Sequence, residues 1–169
     1  MISNKVVTRK IFNGIKVFFS DVDGTLTDGC TYYSAIGEEM KKFNHKDGRG
    51  SLLLKHISIK FGIITGENTK IVEKRAEKLQ ADYCFIGIDD KLSFIMNFCI
   101  KEKLSLDEVA YIGDDTNDLE IINRVGISFA VNDAIHEIKK AANYICSRKG
   151  GDAAFREAVD FLIESREII

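Results

Sequence analysis

The chain has 169 residues, 45% of them hydrophobic and 30% charged, with a formal net charge of −2. This length is sufficient for one hydrophobic core, so we expect a single domain over residues 1–169. No basic stripe of the kind that binds nucleic acid is present. No apolar run approaches the ~20 residues of a membrane span, and no signal-peptide pattern opens the chain. We therefore expect a cytoplasmic protein with neither nucleic acid nor membrane as a partner.

The four cysteines are widely scattered and lack the clustered spacing of a zinc site. Cys84, Cys99 and Cys146 lie in apolar runs and are predicted to be reduced core residues. Cys30 lies in a more polar stretch.

Short apolar runs alternate with amphipathic stretches along the chain. The runs that predict strands are 15–19, 59–64 and 109–112, with weaker candidates at 83–86, 127–131 and 144–146. The stretches that predict helices lie near 50–56 and at 69–79, 91–103, 117–125, 134–142 and 153–164. This alternation predicts an α/β fold with a doubly wound parallel sheet covered by helices on both faces.

Residues 26–43 interrupt the alternation. Aromatic and β-branched residues lie on both sides of a turn that contains Gly37, which predicts a β-hairpin projecting from the end of the first strand. A lone hairpin is only marginally stable in water. We therefore expect it to pack against another surface.

Two acids, Asp21 and Asp23, directly follow the first predicted strand. Ligands of a parallel sheet bind beyond the carboxyl ends of its strands. A carboxylate there can attack phosphorus to give an acyl phosphate, and a second one can protonate the leaving oxygen and then activate water. The alternative is that Asp-x-Asp-Gly is only a turn.

A second acidic group follows the predicted strand 109–112. It consists of Gly113-Asp114-Asp115, with Asp118 near the start of the next helix. Two strand ends then supply the oxygen ligands that Mg²⁺ prefers. Helix capping by Asp115 or Asp118 is the alternative.

Two further elements have phosphate-binding chemistry. Thr65-Gly66 ends the predicted strand 59–64 with a hydroxyl and a flexible backbone, and Lys91 begins a predicted helix. The lysine can supply a point charge to a phosphoryl group. A plain turn and a solvated surface lysine are the alternatives.

The order Asp-x-Asp, Thr, Lys, Gly-Asp-Asp resembles the four motifs of the haloacid dehalogenase superfamily of phosphotransferases, over nearly the whole chain. The resemblance implies that Asp21 is the nucleophile and Asp23 the general acid and base. It also implies that Thr65, Gly66 and Lys91 bind the transferring phosphoryl group. The segments between the motifs are too short for a full cap domain, so a capless enzyme is expected.

The same resemblance implies a magnesium site. Mg²⁺ would be held by the Asp21 carboxylate, the Asp23 backbone carbonyl and Asp114. Asp115 and Asp118 would support the site or reach the metal through water.

Shorter segments narrow the resemblance. Thr27-Asp28-Gly29, Gly37-Glu38-Glu39, Lys46-Asp47-Gly48 and Gly150-Gly151 are similar to segments of the 3-deoxy-D-manno-octulosonate 8-phosphate phosphatases and their relatives. This implies a sugar-acid phosphate as substrate, in cell-surface sugar (lipopolysaccharide) biosynthesis. It also implies a homotetramer in which the hairpins assemble and a neighbouring subunit completes each site.

Glu67 departs from that pattern, because the octulosonate enzymes usually have a basic residue after Thr-Gly. An acid here resembles relatives that hydrolyse nine-carbon nonulosonate 9-phosphates, such as that of deaminoneuraminate, a sialic acid-like sugar. Both substrates stay open. A structural alternative is that Glu67 faces solvent or caps the helix starting near Asn68.

Three further residues are candidate substrate contacts, namely Asp47, Arg75 and Asn117. Arg75 could clamp a carboxylate through two parallel hydrogen bonds, or it could be a solvated charge on its helix. A non-enzyme interpretation is a receiver-like phospho-acceptor domain, but the chain lacks the mid-chain acceptor aspartate of that class.

Overall fold

The computed structural model of the chain describes residues 8–167, apart from the side chains of Glu39 and Glu167. The strands are β1 (Val17–Ser20), β2 (Thr27–Ser34), β3 (Gly37–Phe43), β4 (Lys60–Ile64), β5 (Tyr83–Phe85), β6 (Val109–Gly113), β7 (Ile127–Ala130) and β8 (Tyr144–Ile145). The helices are α1 (Arg9–Gly14), α2 (His45–His56), α3 (Lys70–Leu79), α4 (Lys91–Glu102), α5 (Leu119–Ile122), α6 (His136–Ala141) and α7 (Ala154–Glu167).

Six strands form one parallel sheet in the order β5-β4-β1-β6-β7-β8. Helices α1, α2, α3 and α7 pack in one group, while α4, α5 and α6 form another. From β1 the chain builds outward through β4 and β5, and then continues on the other side through β6, β7 and β8. This reversal between β1 and β6 is the position where ligands of doubly wound sheets bind. The predicted fold class is confirmed.

Adjacent phenylalanines of β1 anchor the two faces of the sheet. Phe18 stacks on Phe129 of β7 and meets Phe155 of α7 edge to face. Phe19 points the opposite way and meets Phe98 of α4 edge to face. Because side chains alternate along a strand, these neighbours bury aromatic surface on both sides, each worth about 1.5–3 kcal/mol. β1 is thereby held at the centre, with its carboxyl end fixed.

The predicted hairpin consists of β2 and β3, which pair with each other in a separate antiparallel sheet. Its tip is exposed, and Ile36 retains 91% of its accessible surface. The chain leaves β3 directly into α2, whose first turn is capped by the Asn44 side chain accepting from the Lys46 amide (2.9 Å). This cap explains why α2 begins at His45, earlier than the predicted helix near 50–56.

Two other predictions need correction. The helix predicted at 117–125 is only the short α5 preceded by a 3-10 turn, because the chain turns back so that the Gly126 amide can donate to the Leu106 carbonyl (2.9 Å). Cys84 was predicted to be a core residue, and that is wrong. It lies on the edge strand β5, where Tyr83 and Phe85 face the core and Cys84 is exposed. No helix within residues 8–167 is long and apolar enough to cross a membrane.

Candidate active site

Adjacent parallel strands bring the two acidic segments together. Asp21 follows β1 and Asp114 follows β6, and the Asp21 amide donates to the Ile112 carbonyl of β6 (3.1 Å). Asp21 is buried. One carboxylate oxygen from each of Asp21, Asp114 and Asp118 lies within 4.8 Å of the other two. This is a spacing at which three carboxylates can share a metal ion.

Lys91, the first residue of α4, lies behind Asp21. Its Nζ donates to Asp21 Oδ1 (2.6 Å), to Asp118 Oδ1 (2.7 Å) and to the Tyr111 hydroxyl (3.3 Å). The side chain is fully buried. Burial alone would lower the pKa of Lys91, but the charges of Asp21 and Asp118 outweigh burial and raise it. Lys91 is therefore a buried cation with all three of its donors engaged.

Asp118 accepts hydrogen bonds from several groups of this cluster. Its Oδ1 accepts from the Tyr111 hydroxyl (2.5 Å) as well as from Lys91, and its Oδ2 accepts from the Asp114 amide (3.0 Å). Both oxygens are thus occupied by protein donors. Asp118 fixes both the lysine and the backbone that carries Asp114.

Asp115 is exposed and caps the turn that follows. Its side chain accepts from the Thr116 amide (2.6 Å), and together Asp115 and Asp118 form a capping box. The capping interpretation therefore describes both residues, although Asp118 also takes part in the buried cluster.

The buried carboxylates repel one another. Burial raises the pKa of Asp21 well above its usual range, and the charge of Asp118 raises it further while Lys91 opposes both. Burial, followed by the charge of Asp118, raises the pKa of Asp114 to about 7. One lysine thus leaves the cluster short of positive charge, and a divalent cation would relieve the repulsion.

The loop after β1 passes very close to Asp114. The Thr25 hydroxyl donates to Asp114 Oδ1 (3.1 Å). Gly24 has a φ of +83°, and a Cβ atom at this position would overlap Asp114 Oδ2. Only glycine satisfies both conditions, so the Asp-Gly-Thr sequence sets how closely the two strand ends approach.

A cleft of about 410 Å³ opens above the cluster. The acids predicted from sequence that line it are Asp21, Asp23, Asp114 and Asp115. The other predicted residues that line it are Thr65, Gly66, Glu67 and Asn117. Most of the predicted residues therefore meet in one place, and Lys91 contacts this cleft through Asp21.

Glu67 is an exposed member of this lining, and its amide donates to Thr65 Oγ1 (3.2 Å). Helix α3 begins at Lys70 and is capped by Thr69. The interpretation that Glu67 caps this helix is therefore wrong.

Two predicted substrate contacts lie elsewhere in the chain. Asp47 is buried at the start of α2, where its Oδ1 accepts from the Arg156 amide of α7 (3.1 Å), and burial raises its pKa to about 6. Arg75 donates to the Asn44 carbonyl (2.6 Å) and its guanidinium lies 4.9 Å from the Phe43 ring centre. Arg75 is half-buried, so the interpretation as a solvated charge is wrong. Its contacts tie the hairpin base to α3.

Sequence reasoning missed three residues. Tyr111 has the pattern of a core strand residue, and nothing in the sequence shows that its hydroxyl meets Asp118. Thr25 adjoins the Asp-x-Asp motif, and this proximity could have marked it. Lys41 of β3 makes an ion pair with Asp23 (2.7 Å), and only the hairpin's orientation brings them together.

Comparisons with known proteins agree with this geometry. Residues 87–155 match the sequence profile described as haloacid dehalogenase-like hydrolase. The chain is 35% identical over 152 residues to the 3-deoxy-D-manno-octulosonate 8-phosphate phosphatase of Haemophilus influenzae, covering 90% of this chain and 84% of the relative.

Solved structures of similar proteins have the same fold. The 3-deoxy-D-manno-octulosonate 8-phosphate phosphatase from Yersinia pestis superposes with a TM-score of 0.90 at 34% identity, covering 96% of this chain and 88% of that one. The corresponding enzyme from Moraxella catarrhalis, solved with a magnesium ion, a phosphate ion and a KDO molecule, gives 0.89 at 34% identity, covering 94% and 91%. These relatives are phosphatases, which removes the receiver-like interpretation. The chain therefore belongs to the haloacid dehalogenase-like hydrolase family, among its phosphatases.

Proposed function

We propose that the chain hydrolyses the phosphate monoester of a 3-deoxy-2-ulosonic acid through a phosphoryl group carried on Asp21. The main support is the position of Asp21, which lies at a strand end, hydrogen-bonded to a buried lysine and grouped with the Asp114 carboxylate. An attacking carboxylate needs this arrangement because it must meet an anionic phosphate.

Mg²⁺ fits the oxygen-rich donor set of this cleft. We assign the Asp21 carboxylate, the Asp114 carboxylate and the Asp23 backbone carbonyl as its ligands. Both oxygens of Asp118 already accept hydrogen bonds, so Asp118 supports the site, as Asp115 does through the capping box. When bound, the ion neutralises negative charge on both the carboxylates and the phosphate.

In the first half-reaction, Asp21 attacks phosphorus, the bond from phosphorus to the sugar oxygen breaks, and Asp23 gives its proton to that oxygen. In the second, a water oxygen bonds to phosphorus, Asp23 takes the water proton, and phosphate leaves Asp21. The Thr65 hydroxyl and the Gly66 backbone line the cleft, and we assign them to binding the phosphate oxygens. Lys91 offsets charge beside Asp21 in both halves.

The test is Asp21→Asn, which keeps the side-chain shape and removes the nucleophile. We expect turnover in the presence of Mg²⁺ to be abolished while the circular dichroism spectrum is unchanged. Asp107→Asn, a change of an exposed acid outside the cleft, should leave the rate intact. An Asp21→Asn protein with the normal rate would disprove the mechanism.

We further propose the eight-carbon octulosonate 8-phosphate as the substrate, and so a role in lipopolysaccharide biosynthesis. The support is the set of relatives named for that activity, one of them solved with KDO. Glu67 in the cleft supports the nine-carbon nonulosonate 9-phosphate as the second candidate. Comparing kcat/KM for both esters with that for p-nitrophenyl phosphate decides the matter. If neither ester is preferred over the aryl phosphate, the substrate proposal fails.

The hairpin supports a homotetramer. Its large apolar side chains are exposed: Tyr32, Tyr33, Ile36 and Met40. Because clustered exposed apolar residues mark interaction surfaces, Ile36→Glu should reduce the mass measured by light scattering below that of a tetramer. Ile100→Glu, on α4 and also exposed, is the matched control. A wild-type monomer would contradict the proposal.

The free cysteines, Cys30 and Cys84 on the surface among them, fit a reducing compartment such as the cytoplasm.

A further inference from the structure

Two consecutive lysines of β3 have opposite environments. The Lys41 side chain is only 2% exposed and its Nζ lies 2.7 Å from Asp23 Oδ1. The Lys42 side chain is 63% exposed and pairs with Asp28 (3.0 Å). Alternation along the strand explains the difference, since successive side chains point to opposite faces. Lys41 is thus directed from the hairpin toward the cleft, and Lys42 toward solvent.

The contacts of Asp23 are asymmetric. Its Oδ1 accepts from Lys41 and lies 3.5 Å from the Thr27 hydroxyl. Its Oδ2 is buried and has no hydrogen-bond partner among the described residues. Glu38, three residues earlier on β3, also pairs with Lys41, with its Oε1 3.4 Å from the Lys41 Nζ. One oxygen of Asp23 is therefore held by Lys41, and the other is enclosed without a hydrogen-bond partner in the part of the chain that the structure describes.

We propose that Lys41 is a positioning residue for the acid and base of the reaction, holding Asp23 through Oδ1 in one side-chain orientation at the cleft. This inference rests on the proposed function, in which Asp23 protonates the leaving oxygen as its bond to phosphorus breaks and later deprotonates water. Lys41 transfers no proton in either half. This partly buried, charge-assisted pair restricts the rotation of the Asp23 carboxylate. The hairpin thereby contributes to catalysis from within its own chain.

The effect of removing Lys41 should depend on the leaving group. An alkoxide leaving from an alkyl phosphate must be protonated as it departs, whereas p-nitrophenolate leaves without a proton. Because kcat/KM reports only the steps up to release of the leaving group, a fault in positioning the acid should lower kcat/KM for alkyl esters selectively. A merely structural role for Lys41 would lower both values alike.

The experiment measures kcat/KM with Mg²⁺ for Lys41→Met, Lys41→Arg and Lys42→Met. The substrates are octulosonate 8-phosphate, glycerol 1-phosphate and p-nitrophenyl phosphate. For Lys41→Met we expect a loss of about 100-fold on the alkyl esters and less than about 5-fold on the aryl ester. Lys41→Arg should recover most of the loss, because it restores the charge and donors, and Lys42→Met should match wild type. Equal losses on all three substrates, or no loss, would overturn the inference.

Asp23→Asn separates this inference from the proposed function. If Asp23 is the acid, its variant shows the same selective loss, and Lys41→Met adds little when combined with it because the two act as a unit. If Asp23→Asn shows no selectivity, the proposed acid is wrong. If Asp23→Asn is selective and Lys41→Met is not, only the role of Lys41 fails. Wild-type inactivity on octulosonate 8-phosphate alone would remove the substrate and leave the glycerol 1-phosphate comparison to decide.

Discussion

The strand-end cluster and the hairpin use charged residues in different ways. In the cluster (Asp21, Lys91, Tyr111, Asp114 and Asp118), Lys91 is fully buried and both oxygens of Asp118 accept hydrogen bonds. In the hairpin (residues 27–43), most side chains are exposed. In the cluster, Lys91 both neutralises buried carboxylates and lies beside the nucleophile. Its loss should therefore lower stability and rate together. The exposed residues of the hairpin can change with little cost to folding, so they should affect substrate choice or assembly without lowering stability.

The largest effect is expected from Lys91→Met. It leaves Asp21 and Asp118 buried without their cation, which costs about 3–5 kcal/mol of unfolding free energy. Turnover should fall by about 1,000-fold or more, because Asp21 loses the positive charge beside it. Urea denaturation and kcat on p-nitrophenyl phosphate measure the two effects.

Lys60→Met is the matched control for that prediction. Lys60 is also paired, lying 3.8 Å from Glu102, but its side chain is 55% exposed. Its loss should cost less than about 1 kcal/mol and leave kcat unchanged. A comparable cost at both lysines would mean that burial does not distinguish the cluster from the surface.

The contrast between the cluster and the hairpin also separates the residues that the sequence could place from those that it could not. Asp21, Thr65 and Asp114 each follow an apolar run, and Lys91 begins a helix, so a parallel sheet places them at one edge before any coordinates are known. Lys41 could not be placed, because its contact with Asp23 depends on the tilt of a hairpin that belongs to a different sheet.

The sequence also could not show which side chains are buried and which polar atoms they meet. Tyr111 has the apolar neighbours of a core strand residue. Only the packing of β6 against the start of α4 and the turn that carries Asp118 shows that its hydroxyl contacts Lys91 and Asp118. The prediction for Cys84 was wrong because an apolar run on an edge strand can still expose alternate residues. Periodicity predicts an element, while neighbouring elements decide which of its faces is covered.

The stability of the cluster should depend on pH and on bound Mg²⁺. The folded pKa of Asp114 is about 7, above an unfolded value of about 3.9, so the folded protein binds the extra proton. Without metal, the free energy of unfolding should therefore fall by about 2 kcal/mol as pH rises from about 4 to about 7. This fall is smaller than the full difference in pKa implies, because partial exposure of Asp114 screens its charge. Added Mg²⁺ needs the ionised ligands, so its stabilising effect should grow over the same range.

Thermal melting in chelator and in excess Mg²⁺ at several pH values measures both slopes. Asp114→Asn should reduce the metal-free slope, to which Asp21 and Asp47 also contribute, and remove the response to Mg²⁺. Asp115→Asn, at the exposed neighbour, should largely retain both. A Mg²⁺ response that is the same at low and high pH would contradict the assignment of Asp114.

A smaller effect is expected at Asp47, a buried acid outside both regions. Its folded pKa of about 6 also lies above the unfolded value, so it costs stability as pH rises from about 4 to about 6. Asp47→Asn keeps the acceptor for the Arg156 amide and should stabilise the protein by about 1–2 kcal/mol above pH 7, with no gain near pH 4. An unchanged KM would show that Asp47 does not contact substrate, whereas a raised KM would favour the substrate-binding role expected from sequence.

The smallest effect is expected at the rim, where Glu67→Arg replaces an exposed anion with a cation that can bind a sugar-acid carboxylate. We expect the ratio of kcat/KM for the eight-carbon ester to that for the nine-carbon ester to rise about 10-fold, which is about 1.4 kcal/mol. The free energy of unfolding should stay within about 0.5 kcal/mol of wild type. Glu73→Arg, at an exposed position of α3, makes the same charge change outside the cleft and should leave the ratio unaltered. If both variants shift the ratio equally, general charge rather than contact at the rim determines substrate choice. If Glu67→Arg lowers kcat on p-nitrophenyl phosphate as strongly as Lys91→Met does, the rim is part of the catalytic cluster and the two regions do not have separate roles.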